Sequence, residues 1–253
     1  MICTQILTPA LSLIRLVGRV VDAPLRLGDG LVRVYVETGP EVRGGIHEIL
    51  SMDQVGDFFL SEVKLHDHVQ IQGTFHTAAG QDEDGLWRYR AHLVAERARK
   101  VPAQDEGGPG WMALGRVVGQ VCSEVEVHRP FASKVHPFWL EAVERVYLEV
   151  HTPNGPQHVL VSISDELSPH ATIFTQHAPV EVEGDLISGS ARDEQGRARR
   201  VGAVNARQIR RLAGWSHVSS TPAFTGRGCS ETELELMWTD PIRGPYAERM
   251  VSV

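Results

Sequence analysis

Three short strings occur twice along this chain in the same order, and that repetition constrains the fold more than any other feature. LVGRVV begins at Leu16 and LGRVVGQV at Leu114; RVYVETG begins at Arg33 and RVYLEVH at Arg145; VQIQGTF begins at Val69 and VEVEGDL at Val180. The second and third pairs are offset by 112 and 111 residues, and the first, aligned on Gly18 and Gly115, by 97. An insertion of about fifteen residues in the second copy, near residues 126–141, reconciles the offsets. Self-similarity at a fixed offset marks a repeated structural unit, and the valine-rich strings make that unit all-β.

At 253 residues the chain suits one large domain or two ordinary ones, and the repeat favours two. The modules are residues 1–100 and 112–212. They are joined by a Pro/Gly-rich acidic linker, 101–111, and followed by a C-terminal extension, 213–253, rich in Gly, Pro, Ser and Thr. A hydrophobic content of 42% lets each half bury a core. No apolar run approaches the roughly 18 residues of a membrane helix. The apolar start, MICTQILTPALSLIRLVG, lacks a basic n-region and runs into the first strand, so it reads as part of the fold. Cys3, Cys122 and Cys229 are far apart with no CxxC, which predicts no disulfide framework and suits a reducing cytoplasm.

Residues 31–38 alternate, with Val32, Val34 and Val36 on one face and Arg33, Tyr35 and Glu37 on the other. That period of two predicts a half-buried strand whose second face meets solvent. Further strands are expected at 12–22, 46–50, 69–75 and 86–97. Ser51 is placed to cap a short helix running to Val63, with Val55, Phe59 and Val63 on its apolar stripe. GQDEDG at 80–85 reads as a polar hairpin loop. The second module repeats the plan with strands at 113–127, 143–151, 157–163, 179–187 and 199–210. Its helix position, 164–177, is interrupted by Pro169, and SGSARDEQG at 188–196 is its hairpin loop. The fold class is therefore all-β: two tandem five-stranded Greek-key barrels of the oligonucleotide/oligosaccharide-binding (OB) type, with one short helix each and an irregular C-terminal tail.

In the LVGRVV opening, the RVYVETG strand, the helical segment before VQIQGTF and the acidic hairpin, the chain resembles the bacterial single-stranded DNA-binding protein family. The likeness covers roughly residues 12–100 and, more weakly, 112–212. It implies non-catalytic, sequence-tolerant binding of single-stranded DNA, or of RNA, in replication, repair or recombination. It also implies a cytoplasmic, nucleoid-associated protein with no membrane contact, whose partners include further copies of itself and replication or repair proteins.

Binding a single strand requires a cationic groove and rings on which bases stack. In the first module the candidates are Arg33 and Tyr35, then Trp87 and Tyr89 on one face of a strand with Arg88 and Arg90 on the other. Arg145 and Tyr147 repeat the first pair. The insertion supplies Arg129, Phe131, Lys134, Phe138 and Trp139, a basic-aromatic loop that clamps either a nucleic-acid strand or a second subunit. Residues 192–211 hold seven arginines, among them Arg197, Arg199 and Arg200, at the position equivalent to the basic stretch 88–100. A formal net charge of −7 argues the other way. It keeps open an alternative in which the barrels are a protein-interaction or assembly module. No GxSxG, HExxH or P-loop is present. His66 and His68 lack accompanying ligands at metal-site spacing. The chain reads as a non-enzyme with no catalytic residue, metal or cofactor.

Overall fold

The structure, a computed structural model, describes residues 11–27, 30–39, 45–81, 87–123, 126–128, 143–152, 155–163, 167, 173–192 and 198–212. In the first half these form β1 (Leu11–Val20), β2 (Leu25–Arg26), β3 (Val32–Glu37), β4 (Ile46–Ser51), α1 (Asp53–Glu62), β5 (His68–Gln81) and β6 (Trp87–Lys100). After a 3-10 turn at Gln104–Glu106 come β7 (Met112–Val121), β8 (Glu126–His128), β9 (Val143–Thr152), β10 (Gly155–Ile163), β11 (Pro179–Arg192) and β12 (Ala198–Arg211).

Each half closes into a ring of five strands. In the first, β1 pairs with β3, β3 with β4, β4 in parallel with β6, β6 with β5, and β5 returns to β1. The second ring runs β7, β9, β10, β12, β11 and back to β7, again with its one parallel contact between the third and fifth strands, β10 and β12. Alternating β-branched residues explain the closure: Val34, Val36, Val69 and Ile71 fill one ring, and Val146, Val159, Val161 and Val182 the other, all nearly inaccessible to solvent. This is the OB-type architecture.

The rings are not separate bodies on a linker. Strands β1 and β7 pair antiparallel from Leu11↔Val118 to Val17↔Met112, and Ala91 of β6 faces Gly202 of β12. All twelve strands thus belong to one hydrogen-bonded sheet, and one hydrophobic cluster runs through both barrels.

The close approaches of glycines correct the alignment of the repeat. A Cβ on Gly18 would collide with the Glu37 carbonyl, and a Cβ on Gly119 with that of Glu149. Val20 faces Val36 as Val121 faces Leu148. Gly18 therefore corresponds to Gly119, an offset of 101, and the insertion shrinks to about eleven residues, the difference between 101 and 112. Gly115, which the shared string GRVV had suggested, instead faces Ile14 at the seam, itself an offset of 101. Ala91 and Gly202 are likewise an equivalent pair, offset by 111. Both contacts lie on a local twofold relating the barrels. A matching string had outweighed the steric requirement that defines the position.

Helix α1 fills the mouth of the first barrel through Phe59, which is fully buried, with Val63 behind it. Ser51 is not its cap. It ends β4, fully buried, and donates to the Val32 carbonyl at 3.3 Å, leaving Met52 at the N-cap without a side-chain bond. Most of the helix position expected at 164–177, and the whole extension from 213, lie outside the described residues. Among the described residues no helix is long and apolar enough to cross a membrane.

Candidate nucleic-acid interface

Strands β5 and β11 run to Gln81 and Arg192, well into the stretches expected to be loops. The hairpins β5–β6 and β11–β12 are consequently long, and each crosses the neighbouring barrel. Thr77 of the first donates its backbone N–H to Gln157 Oε1 (2.5 Å) and its hydroxyl to the His158 carbonyl (2.8 Å), and its Oγ1 accepts from His158 N (2.6 Å). The equivalent residue of the second hairpin, Ser188, shares a 2.8 Å hydrogen bond with His47 Nδ1. The other ring nitrogen of His47 lies 3.0 Å from Thr38 Oγ1. Arg200 completes this clasp by donating to the Ile46 carbonyl at 2.5 Å.

The clasp overturns the expectation that Arg33 and Tyr35 face solvent. Arg33 is 2% and Tyr35 5% exposed, so both faces of β3 are buried. Their side chains serve one another. The Arg33 guanidinium lies 5.2 Å from the Tyr35 ring centroid, and the Tyr35 hydroxyl donates to Glu48 Oε2 at 3.4 Å. Alternation along β3 correctly separates two faces; the second is covered by the other module's hairpin, which local periodicity cannot register.

The remaining candidates fall as follows. Trp87, Arg88, Tyr89 and Arg90 lie on β6 opposite Gln81, Gly80, Ala79 and Ala78, just beyond the Thr77 crossing; their side chains are outside the described residues. Arg145 and Tyr147 are half-buried on β9, beside the β10 strand that the hairpin crosses. Arg129, Phe131, Lys134, Phe138, Trp139 and Arg197 lie outside the described residues, as does the side chain of Arg199, whose backbone pairs with Ala191. Arg200 is a clamp between modules, its pKa held down by burial even though Tyr35 and Glu48 oppose this. Some of the basic clusters are neutralised internally, since Lys100 pairs with Asp67 (2.7 Å) and Arg207 with Asp185 (2.5 Å). The Cys122 thiol, pushed up to about 12 mainly by burial, is not a reactive nucleophile. Among the described residues no cluster of His, Cys, Asp and Glu could hold a metal ion.

This arrangement of joined barrels has counterparts among solved structures. The wild-type single-stranded DNA-binding protein from Thermus aquaticus superposes with a TM-score of 0.59 over 85% of this chain and 98% of that one, at 14% identity. A deletion mutant of the same protein gives a TM-score of 0.59 over 83% and 98%, at 13% identity. The chain shares their tandem-barrel fold. No family model matches the chain, and no curated protein matches its sequence.

Within that fold, sequence reasoning missed Thr77, Ser188, Gln157 and His47, the residues that hold the two barrels' hairpins in place. Each is a polar residue in a strand, and its partner lies 80 to 141 residues away. His47 gives the clasp a measurable signature. Burial, and secondarily the Arg200 charge, lower its pKa to about 3. The unfolded chain takes up this proton near 6.5, so it binds more protons than the folded chain between those values. The stability due to neutral His47 is therefore complete above about pH 6.5 and is lost as pH falls, by up to ~1.4 kcal/mol per unit. His76, also lowered chiefly by burial, acts in the same direction. The urea midpoint should fall between pH 7 and 5, and His47→Gln should flatten that dependence. An unchanged slope in the variant would place the sensitivity elsewhere.

Proposed function

We propose that this chain is a non-catalytic, sequence-tolerant single-stranded DNA-binding protein acting in DNA replication, repair or recombination in the cytoplasm. The observation that carries the reading is the reciprocal hairpin crossing. It sets the β6 segment bearing Trp87, Arg88, Tyr89 and Arg90 beyond the point where Thr77 bonds β10, the strand paired with β9 and its Arg145 and Tyr147. Aromatic and basic residues on one such path are what a stacked, negatively charged strand requires. The likeness to the Thermus aquaticus protein over nearly its whole chain supports the same reading. From the sequence alone the same role is assigned to Arg129, Phe131, Lys134, Phe138 and Trp139, whose other use is contact with a second copy, and to Arg197 and Arg199. Two barrels on one chain raise avidity through effective concentration.

Titration of fluorescently labelled oligo-dT tests this. Binding should tolerate changes of sequence and weaken with salt, log K falling by about 0.7 per neutralised phosphate against log salt. Trp87→Ala should cost ~1–3 kcal/mol of affinity if the ring carries a base. The net charge of −7 favours the alternative, a protein-interaction module. Absence of binding at low salt would decide for it.

A further inference from the structure

The two barrels present one continuous outer surface across the seam, formed by β6, β5, β1, β7, β11 and β12. The registers place its side chains in rows. In the first module Arg15 faces Gln72 and Gln72 faces Arg97, while Val17 faces Gln70 and Gln70 faces Arg99. Strands lie about 4.8 Å apart and alternate residues about 6.7 Å apart, so these three arginines occupy a patch roughly 10 Å across. All three are exposed. The Arg99 guanidinium is held by Gln70 Oε1 at 2.8 and 2.6 Å, which orients it without cancelling its charge. Glu96 lies beside them but is engaged by the Thr74 hydroxyl at 3.2 Å.

The equivalent positions of the second module keep two of the arginines and exchange both glutamines for carboxylates. Arg116 faces Glu183 and Glu183 faces Gln208; Glu181 faces Arg210. Arg116 Nε donates to Glu181 Oε1 at 2.8 Å, and Arg207 Nε to Asp185 Oδ2 at 2.7 Å. Counted over the seven matching positions (15, 70, 72, 74, 96, 97 and 99 against 116, 181, 183, 185, 207, 208 and 210), the first face has three cations and one anion. The second has three of each. The net charges are +2 and 0. The barrel backbones match while the faces differ, so the difference lies in the side chains alone.

We propose that the first module's seam face, centred on Arg15, Arg97 and Arg99, is a second contact surface for the phosphate backbone, and that the second module's equivalent face is not. This rests on the reading of the chain as a single-strand binder. Binding is thereby polarised: the strand leaves the hairpin crossing and continues over the first barrel only. Gln70 and Gln72 contribute by carrying no charge where the second module has Glu181, which pairs with Arg116, and Glu183, while Asp185 pairs with Arg207. The Arg15 and Arg97 guanidiniums make no ion pair among the described residues, so phosphate oxygens meet them without first displacing a carboxylate.

The test compares, in the full chain, Arg15→Gln/Arg97→Gln/Arg99→Gln with Arg116→Gln/Arg210→Gln, titrating labelled oligo-dT across salt and measuring particle mass by light scattering. Three lost phosphate contacts should reduce the slope of log K against log salt by about 2 and weaken binding roughly tenfold to a hundredfold at 0.1 M salt. The second-module variant should behave as the parent. The expected result is that slope loss at unchanged mass. An unchanged slope, or one that falls only together with the mass, overturns the inference, the latter making this face a contact between copies of the chain. If the parent protein itself does not bind oligo-dT at low salt, the functional reading fails as well, which separates the two failures.

Discussion

Phe75→Ala is expected to lower the free energy of unfolding by about 3–5 kcal/mol, equivalent to roughly 6–20 °C in Tm for a protein of this size. Phe75 is 1% exposed and belongs to the first barrel, yet its ring lies at the junction of the two. Its Cζ is 3.5 Å from where a Cβ on Gly115 would stand, and its Cε1 3.3 Å from the same point on Gly202. Its backbone N–H donates to Ser12 Oγ at 3.0 Å, fixing β5 against β1. The matching residue of the second module is Leu186, so one large ring fills space near the local twofold; Gly202 leaves room for it and for Leu93, whereas a Cβ on Gly115 would strike Val204. Removing the ring leaves a cavity that neither barrel can collapse into alone. Phe75→Leu keeps most of the apolar volume and should cost clearly less. Chemical denaturation followed by far-UV circular dichroism measures both, and a loss below about 1 kcal/mol for the alanine variant would contradict this packing.

Gly73→Ala and Gly184→Ala should each destabilise by about 2–3 kcal/mol, since the added methyl forces a backbone shift. Both glycines sit at the β-bulge of their barrel, where the register slips between Gln72 and Gly73 and between Glu183 and Gly184. A Cβ at Gly73 would press on the Val94 carbonyl group, 2.8 Å from its carbon, and one at Gly184 on that of Asn205, 2.7 Å from its carbon. These neighbours are backbone atoms of a paired strand and cannot swing aside as a side chain could. The control is Gly110→Ala, whose Cβ would meet only Gln104 Nε2 at 3.9 Å. It should change stability by no more than about 0.5 kcal/mol. Equal losses at the two bulges would also show that the modules use the same device; a harmless Gly184→Ala would mean that the second barrel closes differently.

The strand periods and the order of elements were legible along the chain because they are local; that Gly73 and Gly184 sit at bulges was not, because a bulge is defined by the paired strand. Val32, Val34 and Val36 alternate because a pleated strand alternates, and Gly73 and Gly184 recur because a strand bends there against a neighbouring carbonyl. The repeat itself was legible for the same reason, although its first pair was aligned on a shared string rather than on the tight contact that Gly18 and Gly119 make. The limits of the hairpin strands were misjudged, since backbone pairing across the hairpin continues through 80–81 and 188–192, stretches whose glycines and serines read as loop.

By itself the sequence determined that the chain folds as two similar five-stranded barrels, since burying alternate valines in a closed sheet requires only neighbours on the same or adjacent strands. Tertiary structure alone decided that the barrels join through β1 and β7, that Arg33 and Tyr35 lie beneath a crossing hairpin, and that Arg15, Arg97 and Arg99 stand clear on one face. The physical reason is separation along the chain. Ser188 buries His47 from 141 residues away, and Glu181 neutralises Arg116 from 65. Whether a polar residue on a strand meets water, a ligand or a partner depends on what the folded chain brings over it.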